Sequence, residues 1–144
     1  MTRPEAAATS FVLDAPMSEP PVDLTPETIL FFLVPNFSMM AFTSAIEPLR
    51  IANRLSRKRL YAWRLVSTDG GPVQASNGIA IQVDAAITAC EPPPGGALPT
   101  VALCGGLGSE HYTDKEAFGW LRRWARRGAA IGALCTGAHP LAQA

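Results

Sequence analysis

The chain of 144 residues has no apolar run approaching the roughly 18 residues of a membrane-crossing helix, so no such helix is expected. It has no net charge either. Lys and Arg number 12, and so do Asp and Glu, which removes any overall electrostatic pull toward nucleic acid or a membrane surface. Cysteine is scarce, with Cys90, Cys104 and Cys135 an odd set lacking metal-ligand spacing. A disulfide framework and a metal centre are thereby set aside, and free thiols in a reducing compartment are expected, with no cofactor. A signal-peptide core is also missing, because Phe11-Val12-Leu13 is broken at once by Asp14 and Pro16. These absences predict a cytoplasmic chain.

What is present fits one globular domain: 48% of the residues are apolar and 17% charged, enough to build a core. Residues 1–26 hold Pro4, Pro16, Pro20, Pro21 and Pro26 among small and acidic residues without a hydrophobic period, and read as a disordered leader. Thr28 to Val34 is a continuous apolar run closed by Pro35-Asn36, as in a central parallel strand. Ser38 is placed to cap a helix whose apolar residues are Phe42, Ile46, Leu49 and Ala52, with a kink or restart expected near Glu47 because of Pro48. Glu47 is one turn from Arg50 and can pair with it. The helix gives out at Arg54, Arg57, Lys58 and Arg59.

Tyr61 to Ser67 alternates as a second strand. Asn77-Gly78 between two short apolar runs predicts a hairpin in which both turn residues take positive φ. Ala85 to Cys90 reads as a helical turn and Glu91 to Pro99 as a surface loop. Thr100 to Cys104 is a buried strand closed by Gly105-Gly106. Asp114 or Thr113 caps a helix to Arg127, with Ala117, Phe118, Trp120, Leu121, Trp124 and Ala125 opposite a solvated face of Arg122, Arg123 and Arg126. Gly128 ends that helix.

A last apolar run, Ala129 to Leu134, leads into Cys135-Thr136-Gly137 and a helical pattern from Ala138. Small residues permit a sharp strand-to-helix bend, which would hold the Cys135 thiol at the carboxyl edge of a sheet near a helix N-terminus. The resulting order is α/β, a flavodoxin-like doubly wound parallel sheet with a small hairpin. Because the sequence stops at Ala144, about two turns into the helix after the bend, the sheet is expected to be incomplete at its C-terminus.

The bend Gly132 to Ala138, following Cys104-Gly105-Gly106, resembles the ThiJ/PfpI superfamily of class I glutamine-amidotransferase-like domains. Further stretches agree in order: Pro35 to Phe42, Ser44 to Asn53, Trp63 to Val73 and Ala75 to Ile79. Together these resemble the N-terminal sensory half of GlxA-type AraC/XylS-family transcription regulators. The resemblance covers about residues 28 to 144. It implies that residues 27–144 are a partial sensory domain and that the DNA-binding helix-turn-helix domain is absent from this chain. It also implies a small-molecule effector, a homodimer, and contact with DNA only through that absent domain.

Enzymes of the superfamily place an acid just after the first strand, where it tunes the thiol. Aligned on Pro35 and Glu47, that position is Ala41, and no acid lies between Val34 and Ile46. Thr136 occupies the place where some members carry a histidine, and His139 falls a turn later. No catalytic residue is therefore assigned, with Cys135 the candidate if there is one. As a ligand-binding set, Asn36, Phe37, Gly105, Gly106, Cys135 and Thr136 would converge at the carboxyl ends of the strands, with His111 able to edge the pocket. The expected ligand is a small amino-acid-like or quaternary-amine metabolite. The alternative is a ThiJ/PfpI-type cysteine enzyme, hydratase, amidase or deglycase-like. Cys104 reads as a small core residue and Cys90 as incidental.

Overall fold

The computed structural model describes residues 25–92 and 94–144, so the expected leader lies outside the described residues except for Thr25 and Pro26. Seven strands and three α-helices follow: β1 Glu27–Leu33, α1 Met39–Ser56, β2 Tyr61–Ser67, β3 Val73–Gln74, β4 Ala80–Ile81, β5 Ala85–Ala86, β6 Thr100–Cys104, α2 Lys115–Arg126, β7 Ile131–Leu134 and α3 Ala138–Gln143. Short 3-10 turns cover Ile87–Ala89, Ser109–His111 and Cys135–Gly137. The main sheet is parallel, in the order β5-β2-β1-β6-β7, and β3 and β4 form a separate antiparallel pair.

β1 lies at the centre because its side chains are apolar on both faces. Successive side chains of a strand point to opposite sides. Leu30, Phe32 and Val34 therefore enter the core against α2, while Ile29, Phe31 and Leu33 enter the core against α1. The expected doubly wound architecture follows from that split. On the α2 side, Phe32 meets Trp120 edge-on at 5.5 Å between ring centres, and Trp120 meets Trp124 at 6.1 Å. On the α1 side, Phe42 stacks edge-on with both Phe31 (5.6 Å) and Phe37 (5.8 Å).

Local signals account for the element ends. The Ser38 hydroxyl accepts from the Ala41 amide at 3.2 Å, and the Asp114 carboxylate accepts from the Glu116 and Ala117 amides, so both expected caps form. α2 ends with Gly128 at φ 89, where the Gly128 amide donates to the Ala125 carbonyl and the Ala129 amide to the Trp124 carbonyl. This paired pattern is the Schellman motif, and it needs the left-handed residue that glycine supplies.

Three local expectations require correction. α1 does not restart at Glu47, since helix runs unbroken through Pro48. Pro48 and Ser44 are exposed, so water can satisfy the Ser44 carbonyl that loses its amide partner. In the hairpin, Gly78 is left-handed at φ 85, but Asn77 does not take positive φ. The Gly78 amide donates to the Ala75 carbonyl, and the Ile79 amide donates to the Asn77 side chain. A three-residue loop with one left-handed glycine thus closes β3 on β4, which relieves Asn77 of strain. Finally, Ala85–Ala86 is a short strand against β2, and the helical turn starts only at Ile87.

The two buried indoles differ chemically. Trp120 Nε1 donates to the Cys90 carbonyl at 2.7 Å, whereas Trp124 Nε1 is buried without a hydrogen-bond partner. Leaving a buried donor unsatisfied costs roughly 1–3 kcal/mol. Trp120→Phe should therefore destabilise the chain by about 1–3 kcal/mol more than Trp124→Phe, which removes no bond. Denaturant unfolding of the two variants checks this; equal losses would contradict it.

Candidate functional site

Parallel strands deliver their carboxyl ends to one edge, and the loops leaving β1, β6 and β7 meet there through main-chain bonds. The Ser38 amide donates to the Gly105 carbonyl at 2.9 Å, and the Leu107 amide donates to the Asn36 carbonyl at 3.0 Å. The Gly105 amide donates to the Leu134 carbonyl at 3.2 Å, joining the β6 and β7 ends. The Thr136 hydroxyl then donates to the Gly106 carbonyl at 2.5 Å. The β3–β4 hairpin is held to the same point, with the Asn36 amide donating to the Gln74 carbonyl and the Ser76 amide to the Phe37 carbonyl. Of the six residues expected to converge, Asn36, Phe37, Gly105, Gly106 and Thr136 are tied together by these contacts, and Cys135 directly precedes Thr136.

Their exposures differ. Asn36 and Cys135 are exposed, Thr136 is half-buried, and Phe37, Gly105 and Gly106 are buried. The glycines serve the packing of the loops on one another. A Cβ on Gly106 would overlap the Asn36 carbonyl and stand 2.6 Å from the Ser38 nitrogen. One on Gly105 would overlap the Gly137 backbone and stand 2.7 Å from the Ser109 hydroxyl. That hydroxyl accepts from the Gly106 amide at 2.7 Å, a buried bond that sequence reading missed, because an isolated serine in a loop carries no pattern.

The bend itself is strained. Cys135 takes φ 54 and Asn36 φ 61, left-handed values that non-glycine residues seldom adopt. Cys135 continues into a single 3-10 turn and the six residues of α3. Its sulfur makes no hydrogen bond or ion pair among the described residues. His111 is also exposed, its Nε2 3.6 Å from the Glu110 carboxylate, and His139 is exposed on α3. Ala41 sits in the first turn of α1 with its amide capped by Ser38.

The other thiols occupy different surroundings. Cys104, one strand away, is buried in the α1-side core with its thiol donating to the Ala102 carbonyl at 3.6 Å, and burial pushes it up to about 12. Burial also raises the Cys90 thiol, the charge of Arg64 opposing. Because the folded Cys104 value lies above the ordinary thiol value of 9.0, its contribution to stability is complete below that pH and is lost as pH rises toward about 12. Among the described residues no group of His, Cys, Asp and Glu is arranged to hold a metal ion, and no helix is long and apolar enough to cross a membrane.

Comparison with known proteins places this geometry. Residues 27–144 match the DJ-1/PfpI family. The chain is 42% identical over 125 residues to the HTH-type transcriptional regulator GbdR of Pseudomonas aeruginosa, covering 87% of this chain and 33% of that protein. It is 38% identical over 119 residues to the HTH-type transcriptional regulator GlxA of Rhizobium meliloti, covering 82% of this chain and 35% of that one. Among solved structures, an AraC family transcriptional regulator from Pseudomonas putida superposes with TM-score 0.71 at 29% identity, over 83% of this chain and 71% of that chain. A ThiJ/PfpI family protein from Pseudomonas syringae shares the fold, with TM-score 0.64 at 20% identity over 85% of this chain and 51% of its own. The chain spans about a third of the length of the curated relatives it matches.

Two outcomes are expected from the geometry. Gly106→Ala should cost about 3 kcal/mol or more, since the clashing atoms are backbone and cannot rotate away; a loss below ~1 kcal/mol in chemical denaturation would show that the loops yield. A thiol reagent should modify Cys135 rapidly in the native chain, and Cys90 and Cys104 only on unfolding; fast reaction of a second thiol would contradict the burial described.

Proposed function

The chain belongs to the DJ-1/PfpI family, and from that premise we propose that it is the ligand-sensing domain of an AraC-type transcriptional regulator. The observation that carries the reading is the carboxyl-edge site, where loops from three strands are bonded at one point beside an exposed thiol with no hydrogen-bond partner among the described residues. Nucleophilic catalysis by a thiol needs a base or orienting acid within hydrogen-bond reach. Here no acid lies between Val34 and Ile46, and Ala41 stands at the position where the family resemblance implies an acid in the enzymes. The similarity to regulators from Pseudomonas aeruginosa and Rhizobium meliloti supports the same direction.

In this reading Asn36, Cys135 and Thr136 contact the ligand, and Phe37, Gly105 and Gly106 form the packed base beneath them. The ligand is a small amino-acid-like or quaternary-amine metabolite. The working assembly is a homodimer, and DNA is contacted through a separate helix-turn-helix domain. Binding would act on the loops of β1, β6 and β7 together, because they share main-chain bonds and one cannot shift without the others.

A cysteine-dependent enzyme, hydratase, amidase or deglycase-like, is the second reading. The exposed Cys135 at φ 54 favours it, since strained bends are found at functional sites. The two readings separate by experiment. Thermal denaturation of the chain with a panel of amino-acid-like and quaternary-amine metabolites should show a rise in Tm, about 2.7 kcal/mol of stabilisation at a hundredfold excess over Kd. No rise with any member would remove the sensor reading. Turnover of an amide or carbonyl substrate by the native chain, absent in Cys135→Ala, would establish the enzyme instead.

A further inference from the structure

The two long helices differ on the sides they turn from the sheet. The exposed positions of α2 are Lys115, Glu116, Arg122, Arg123, Ala125 and Arg126, all but one of them charged, as a solvated face requires. α1 has no such face. Its first eight residues, Met39 to Ile46, include no charged side chain. Met40 is 77% exposed, Ile51 43% and Leu55 78%.

These positions share a line. At about 100° per residue, Met40, Ser44, Ile51 and Leu55 fall within roughly 60° of one another. They lie opposite Met39, Phe42, Ala45, Ile46 and Leu49, which pack on the α1-side core. The stripe runs the length of the helix, flanked at its middle by Glu47 and Pro48. A helix that is apolar on both sides is suited to being covered on both sides.

Spacing and charge point to the same occupant. The stripe is nearly symmetric about its midpoint, with Met40 and Leu55 at the ends and the small Ser44 placed opposite the large Ile51. Such a surface is complementary to itself under a two-fold axis. α1 ends among Arg54, Arg57 and Lys58, so two parallel copies would set like charges together. Antiparallel copies keep those ends roughly 20–30 Å apart, beyond the Debye length of about 10 Å at 0.1 M salt.

The area is adequate. A helix of 18 residues is about 27 Å long and 10–12 Å wide, and half its wall is roughly 450 Å². Two copies therefore cover about 900 Å², near the ~1,000 Å² that marks a specific interface. The adjoining β3–β4 hairpin, whose Ile79 is 57% exposed, can supply the remainder.

We propose that a second copy of this chain docks antiparallel on the outer face of α1, about a two-fold axis near Glu47 and Pro48. Met40 of each copy lies over Leu55 of the other, and Ser44 over Ile51. Because α1 begins directly after Ser38 and the hairpin is bonded to Asn36 and Phe37, the docked copy lies beside the candidate site. The contact gives the homodimer a surface, and it rests on the helix face alone, whatever the ligand.

Sedimentation equilibrium of the ligand-free 144-residue chain tests this, and its outcome is separate from that of the metabolite screen. Leu55→Glu and, independently, Ser44→Arg should each raise the dimer dissociation constant at least about tenfold, since each buries a charge without a partner. Both positions are exposed in the single chain, so its circular dichroism should not change. Met40→Glu should act alike, and adding Leu55→Lys should restore association, because the antiparallel register brings those charges together. A chain monomeric at every concentration would overturn the proposal, as would a dimer indifferent to these changes. Failure of the rescue would overturn the antiparallel register. A dimer broken instead by Ala125→Arg, in the groove lined by Leu121, Ala125, Ile131 and Leu141, would move the interface to the outer edge of β7 and overturn the assignment to α1.

Discussion

The architecture of the carboxyl edge depends on two positions having no side chain. Gly105 and Gly106 let three strand ends approach to main-chain contact, Gly106 against Asn36 and Ser38, Gly105 against Gly137. Once that approach is allowed, the remaining bonds follow from ordinary hydrogen-bonding demand, because amides removed from water must find carbonyls. The Ser38, Leu107 and Gly105 amides all find them in a neighbouring loop. A methyl group at either glycine would hold the loops apart and leave those amides unpaired.

The same clasp explains why two cysteines at the ends of adjacent strands differ so much. β6 and β7 pair in register, Cys104 opposite Leu134. Cys104 is still in the strand, so its side chain follows the alternation into the α1-side core, where desolvation disfavours the thiolate. Cys135 comes one residue after the end of its strand, and its left-handed backbone turns the thiol away from both cores to solvent. Backbone conformation, at neighbouring positions, separates a core residue from an accessible one.

Much of the fold was legible in the sequence. The double-sided apolar run of β1, the capping residues Ser38 and Asp114, the wheel of α2 and the small residues of the bend are local patterns. Local patterns report local conformation because side-chain period and backbone period must agree. Legibility failed where water or a neighbouring loop decided the outcome. Pro48 is tolerated because the helix face around it is wet, and Asn77 keeps negative φ because one left-handed glycine suffices for the longer loop. Ser109, whose hydroxyl accepts from the Gly106 amide, had no signature at all.

By itself the sequence determined the longer strands and helices, though not the short strand Ala85–Ala86, that a thiol would stand on a tight bend, and that no acid lies between Val34 and Ile46. Those are properties of residue type and spacing. Only the tertiary structure decided which of the six site residues meet solvent and that the paired glycines serve packing between loops. These are distances between residues far apart in sequence, and packing of the whole chain, not any local preference, sets them.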